Sequence, residues 1–203
     1  MPLPLVLVTG FGAFADDANN PSRVVAAELE RDPPRGVRVR SRELPVTFAG
    51  APRDVASFVA EFESESPALL LGLGVQREAY FRFETRARGR FDPRRADNAG
   101  ETGASIDLGR ELATRVDVEQ LARMLRDAGA GDVRVSVDAG GYVCERTFRA
   151  LLEEGERIDV PAMFLHVPPA RAVAAAEQAR LVRAMLATLF NAPTGSAAVL
   201  RPS

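Results

Sequence analysis

Val133-Arg134-Val135-Ser136-Val137-Asp138-Ala139-Gly140-Gly141-Tyr142-Val143-Cys144, followed by Glu145 to Gly155, reads as a strand, a glycine turn and a helix that opens at Cys144. Gly140 and Gly141 permit the tight backbone that such a strand-to-helix elbow requires. Cys144 is the only cysteine, and the only histidine, His166, ends the next apolar run, Pro161-Ala162-Met163-Phe164-Leu165. A thiolate nucleophile needs a base or ion-pair partner, and one candidate exists for each role. A helix amino terminus presents unpaired N–H groups and partial positive charge, which favour thiolate over thiol and can hold an oxyanion. Against this, Cys144, Phe148, Leu151 and Leu152 fall at i, i+4, i+7 and i+8, so the cysteine also suits a place in the core as a small hydrophobe. Position alone leaves both readings open.

Outward from this elbow, strands alternate with helices. Leu3 to Val8 forms a first strand, and Asn20-Pro21 starts a helix over 21–31 that Pro33-Pro34 ends. Val37 to Leu44 alternates like a half-buried strand, and Val55, Phe58, Val59 and Phe62 give a helical stripe. Pro67 to Leu73 is a continuous apolar run, hence a central strand. Residues 77–109 lose helical period; Phe81, Phe83 and Thr85 suggest a short strand, and the remainder reads as an extended flap of the kind that carries function. Asp117 to Gln120 is a capping box. Strand 133–138, the Cys144 helix, strand 162–167 and a final helix over 170–190 complete the order, and 191–203 reads as a loose tail. The pattern predicts one α/β domain over 1–203, a three-layer α/β/α sandwich with a mostly parallel mixed sheet.

Composition narrows the function. The chain has 203 residues, 46% apolar and 27% charged, with a net charge of −2, which suits a soluble globular protein and not a general polyanion binder. All 26 basic residues are arginine. The arginines from Arg77 to Arg95 are interleaved by only Phe81, Phe83 and Phe91, so a salt-bridged flap is expected and no nucleic-acid surface. One cysteine fits a reducing interior, and the short apolar start is neither membrane span nor leader, so a cytoplasmic protein with no membrane partner is expected. Gly10-Phe11-Gly12-Ala13-Phe14-Ala15 matches a dinucleotide fingerprint in letters, but the cap at Asn20 comes too late and Asp16 and Asp17 put charge where phosphate would go. One His and one Cys do not suffice for a closed zinc site. Glu84 stands out as an acid among arginines that could orient a histidine.

Four segments in order then resemble one family. Thr9-Gly10-Phe11-Gly12-Ala13-Phe14 with Asn20-Pro21-Ser22, Leu44-Pro45-Val46-Thr47-Phe48, Asp138 to Cys144, and Phe164-Leu165-His166-Val167-Pro168 are similar to the motifs of the pyroglutamyl peptidase I (pyrrolidone-carboxylate peptidase) cysteine peptidases. The resemblance implies a phosphorylase/hydrolase-like fold and a cysteine-type omega peptidase that needs no cofactor and removes N-terminal pyroglutamate from peptides. It implies Cys144 as nucleophile, His166 as base and then acid, and Glu84 as the third member. It also implies Arg94, with Asp97 and Asn98 after it, as support for the oxyanion, and Phe11, Phe14 and Val143 as the clasp on the pyrrolidone ring. Leu73 stands where the family has a lactam-contacting glutamine, and Gly89 where it has an asparagine. These departures keep a related amidohydrolase with another acyl group, or a silent ligand-binding member of the fold, as alternatives. Helix 170–190 and the flap are the candidate contacts for a homo-oligomer.

Overall fold

The computed structural model describes residues 2–14, 19–106, 108–191 and 199–200. Its strands are β1 (Leu5–Phe11), β2 (Arg38–Leu44), β3 (Leu69–Val75), β4 (Phe81–Glu84), β5 (Arg86–Ala87), β6 (Leu112–Ala113), β7 (Val133–Ser136) and β8 (Ala162–Val167). The helices are α1 (Pro21–Arg31), α2 (Gly50–Phe62), α3 (Val118–Asp127), α4 (Val143–Ile158) and α5 (Ala175–Asn191). Six strands form one mixed sheet in the order β2-β1-β3-β8-β4-β7, parallel except where β4 meets β8 antiparallel. β5 and β6 pair separately.

Strand alternation divides the sheet's side chains between two cores. Val6, Val8, Leu69, Leu71, Leu73, Phe83, Leu165 and Val167 pack with α1, α3 and α5. Leu5, Leu7, Phe11, Leu70 and Phe164 pack with α2 and α4 on the other face. That is the expected three-layer sandwich. Local signals held where their chemistry was strong. Asn20 caps α1 by accepting from Ser22 N at 3.1 Å, and Asp117 caps α3 by accepting from Gln120 N at 2.9 Å.

Several boundaries moved, among them the first strand, expected over 3–8 and found at Leu5–Phe11. The final helix starts at Ala175 and not at 170. The short strand expected from Phe81 and Phe83 is β4, inserted between β8 and β7, with both phenylalanines in the core. Of the tail, residues 192–198 and 201–203 lie outside the described residues, whereas Val199 is buried and its carbonyl accepts from Asp117 N at 3.0 Å. Asp16 and Asp17 also lie outside the described residues. No helix among the described residues is long and apolar enough to cross a membrane.

Candidate active site

The elbow after β7 is built as its glycines require. Gly140 and Gly141 have φ of 95° and 60°, a region that side-chain-bearing residues avoid, and the chain then enters α4 one residue before Cys144. The sulfur needs room at the sheet. A Cβ placed on Gly74 would sit 3.1 Å from Cys144 Sγ and 3.0 Å from the Phe164 ring, and one on Gly72 would lie 2.5 Å from that ring. The two glycines therefore let Phe164 and Cys144 lie directly on β3. Gly74 is the register partner of His166 across β3–β8, so the only thiol and the only imidazole lie over adjacent strands.

Behind the imidazole stands Glu84. Its Oε1 is 2.7 Å from His166 Nδ1, with Glu84 0% and His166 3% exposed. A carboxylate only accepts, so Nδ1 carries a proton, and in the neutral ring the lone pair falls to Nε2. The Phe164 ring packs edge-on to the imidazole at 5.0 Å and fixes its plane. Cys144 and His166 both line a cavity of about 360 Å³, with Phe11, Phe14, Val46 and Val143 as apolar walls. Tyr142 joins the wall to the flap: its hydroxyl donates to the Ala96 carbonyl at 2.9 Å, and its ring packs on Phe14 and Phe48.

The thiol departs from expectation. Burial pushes it up to about 12, Glu84 adds to the rise, and Arg95, Arg82 and the helix N–H oppose it. The helix mouth does not produce a resting thiolate, because the desolvation of a sulfur packed on the sheet outweighs one turn of helix dipole.

Two other residues are corrected. Leu73 does not touch the cavity; it is fully buried among Leu71, Leu165 and Val167 on the far face of the sheet. It continues the alternation of Leu69 and Leu71, and only the even-numbered positions of β3 face α4. Arg94 does not reach the cavity either. Its side chain is 88% exposed and paired with Asp92, while its neighbour Arg95 lines the cavity and lies 4.1 Å over the Tyr142 ring. Asp97 and Asn98 pin this loop: Asp97 accepts from Phe48 N at 2.7 Å, and Asn98 Nδ2 donates to Ala13 O at 3.0 Å.

The cavity also contains residues that the sequence did not single out. Gln76 lines it, donates to the Tyr80 carbonyl, and leaves its own side-chain oxygen without a partner among the described residues. Arg82 lines it and donates from Nε to Glu84 Oε1 at 2.6 Å. The signal for Arg82 was present: two residues before Glu84 on one strand means the same face. Outside the cavity, Glu145, next to Cys144, is 1% exposed and accepts from Gly89 N at 2.7 Å, so the flap is tied to α4 through the backbone of Gly89. Burial raises this carboxyl, with the flap N–H groups opposing. Most flap arginines are ion-paired, Arg86 with Glu111 and Arg88 with Asp138 among them, as the salt-bridged reading required.

The sequence model of the pyroglutamyl peptidase family matches residues 5–192. The chain belongs to that family. It is 30% identical over 191 residues to pyrrolidone-carboxylate peptidase 1 of Saccharolobus solfataricus, covering 92% of this chain and 89% of that protein. To the pyrrolidone-carboxylate peptidase of Pseudomonas fluorescens it is 32% identical over 169 residues, 81% of this chain and 78% of the relative. The fold matches the pyrrolidone carboxyl peptidase of Fervidobacterium islandicum AW-1 with a TM-score of 0.79 at 24% identity, over 92% of this chain and 98% of that one. Sequence and fold thus agree that the chain is a member of the pyroglutamyl peptidase family.

Proposed function

We propose that this chain is a single-domain cysteine exopeptidase that removes N-terminal pyroglutamate from peptides, with Cys144, His166 and Glu84 as its reacting groups. The observation that carries the reading is the line from Glu84 Oε1 through His166, 2.7 Å apart, to a cavity that Cys144 shares. With the thiol as high as about 12, the proton leaves sulfur as sulfur attacks. His166 Nε2 accepts that proton while Cys144 Sγ bonds to the pyroglutamyl carbonyl carbon, so His166 acts as general base and not as half of a standing ion pair.

The oxyanion draws on the free N–H groups of the first turn of α4. His166 returns the proton to the leaving amine, and the C–N bond breaks to give the acyl-enzyme. Water, deprotonated by His166, then cleaves the thioester, releasing 5-oxoproline and the thiol. Glu84 holds the ring tautomer and stabilises the imidazolium as it forms. Phe11, Phe14 and Val143 suit the apolar edge of the pyrrolidone ring, and Arg95 takes the supporting position first assigned to Arg94. The single cysteine supports a cytoplasmic setting.

The test is hydrolysis of a pyroglutamyl-linked fluorogenic amide. C144A is expected to lower kcat by roughly 10⁴-fold or more. Folded wild-type protein without turnover on that amide would refute the reading.

A further inference from the structure

We propose that Arg82 is a positioning residue for this reaction: it holds the Glu84 carboxylate on His166 Nδ1, and its own charge sets how far the pH can fall before His166 is lost as a base. The proposal rests on the reading of His166 as general base. Its structural basis is the register of β4 on β8, which puts Arg82 directly opposite His166 and Glu84 opposite Phe164. Residues 82 and 84 share one face of the strand, so guanidinium, carboxylate and imidazole converge.

They converge on one atom. Arg82 Nε and His166 Nδ1 both bond Glu84 Oε1, at 2.6 and 2.7 Å, while Glu84 Oε2 has no partner among the described residues. Without Arg82 the carboxylate would be held by the imidazole alone. Arg82 Nη2 also lies 3.5 Å from His166 Nδ1. Since Nδ1 already donates to Glu84, that approach sets a cation against the ring and is no hydrogen bond.

The two charges pull His166 in opposite directions. Glu84 favours the imidazolium, and Arg82 disfavours it. An imidazolium cannot take the proton of Cys144, so a carboxylate without a cation beside it would work against the base. Arg82 offsets that tendency while keeping Glu84 aligned. Burial works against the Arg82 charge, and the Glu84 carboxylate beside it more than compensates, so the guanidinium stays charged throughout. The other groups facing Arg82 or this cavity are Tyr80 before β4, Asp138 before the elbow, Cys144 and Tyr142 at the head of α4, Arg95 from the flap, and Arg77 and Glu78 after β3. Of all these, Arg82 is the cation in direct contact with both Glu84 and the ring.

Because the chain has one histidine, the ring resonance of His166 can be titrated by NMR without substrate and without ambiguity. R82Q is expected to raise the midpoint by about one pH unit or more, and to move the acid limb of kcat/KM upward with it. R82K, which keeps the charge, is expected to titrate nearer to wild type than to R82Q. A midpoint unmoved or lowered in folded R82Q, even with activity lost, would leave Arg82 a purely structural role and overturn the proposal. R82Q strands a buried carboxylate. Should it fail to fold, E84Q is compared with R82Q/E84Q, where no carboxylate is stranded. Removing Arg82 must again raise the midpoint there, and equal midpoints overturn the proposal. Inactivity of the wild type toward pyroglutamyl amides would strike only the substrate assignment, because the titration needs no turnover.

Discussion

The two faces of β3 and β8 end in opposite ways. Toward α1, α3 and α5 the strands carry Leu71, Leu73, Leu165 and Val167, filled with apolar side chains to their carboxyl ends. Toward α4 the same strands thin to Gly72 and Gly74, and Phe164, His166 and Cys144 take the space. Chain neighbours such as Leu73 and Gly74 thus serve different ends, one packing and the other clearing room for sulfur. A strand's period of two is enough to separate a stable layer from a reactive one without a second domain.

The sharpest way to break this contrast is to fill the reactive face. A Cβ on Gly74 would press on Sγ and on the Phe164 ring that steadies His166, so G74V is expected to lower kcat/KM by about 10²-fold or more. Activity near wild type in G74V would mean that the sulfur does not depend on that gap. Emptying the packed face should do the reverse. L73A is expected to cost about 2–5 kcal/mol in a urea melt while leaving kcat/KM within roughly twofold at temperatures where it stays folded. A selective loss of activity would return Leu73 to the substrate pocket.

Much of this was legible beforehand, and the failures have physical reasons. Cys144 and His166 could be named because each is alone in the chain, and Glu84 because it is acidic within a basic stretch. Leu73 was misplaced because its motif position was weighed above its alternation with Leu69 and Leu71. Arg94 was named from the family resemblance, and in a loop with no period only tertiary contacts decide which of two adjacent arginines turns inward. The thiolate was inferred from the helix end and a histidine partner, whereas the sheet beneath the sulfur and Glu84 behind the histidine act from distant parts of the chain.

The remaining predictions sharpen the reactive side. With a thiol near 12, iodoacetamide should react slowly at neutral pH and accelerate about tenfold per unit from pH 7 to 9, with no plateau in that range. A plateau below pH 7 would restore the ion pair. Finally, R95A is expected to lower kcat/KM by about tenfold and R94A by less than twofold, since only the first arginine lines the cavity. Reversed sensitivities would mean that the loop turns the other way in solution.

The antiparallel seam of β4 against β8 has a consequence in time as well as space. Glu84 and His166 are 82 positions apart in the chain and become partners only when that seam closes in register. A slip of one residue would present Phe83 to the imidazole in place of the acid. Long-range strand pairing is a slow step in folding. A newly made or half-unfolded chain therefore carries Cys144 without the Glu84–His166 pair, which assembles only with the completed sheet.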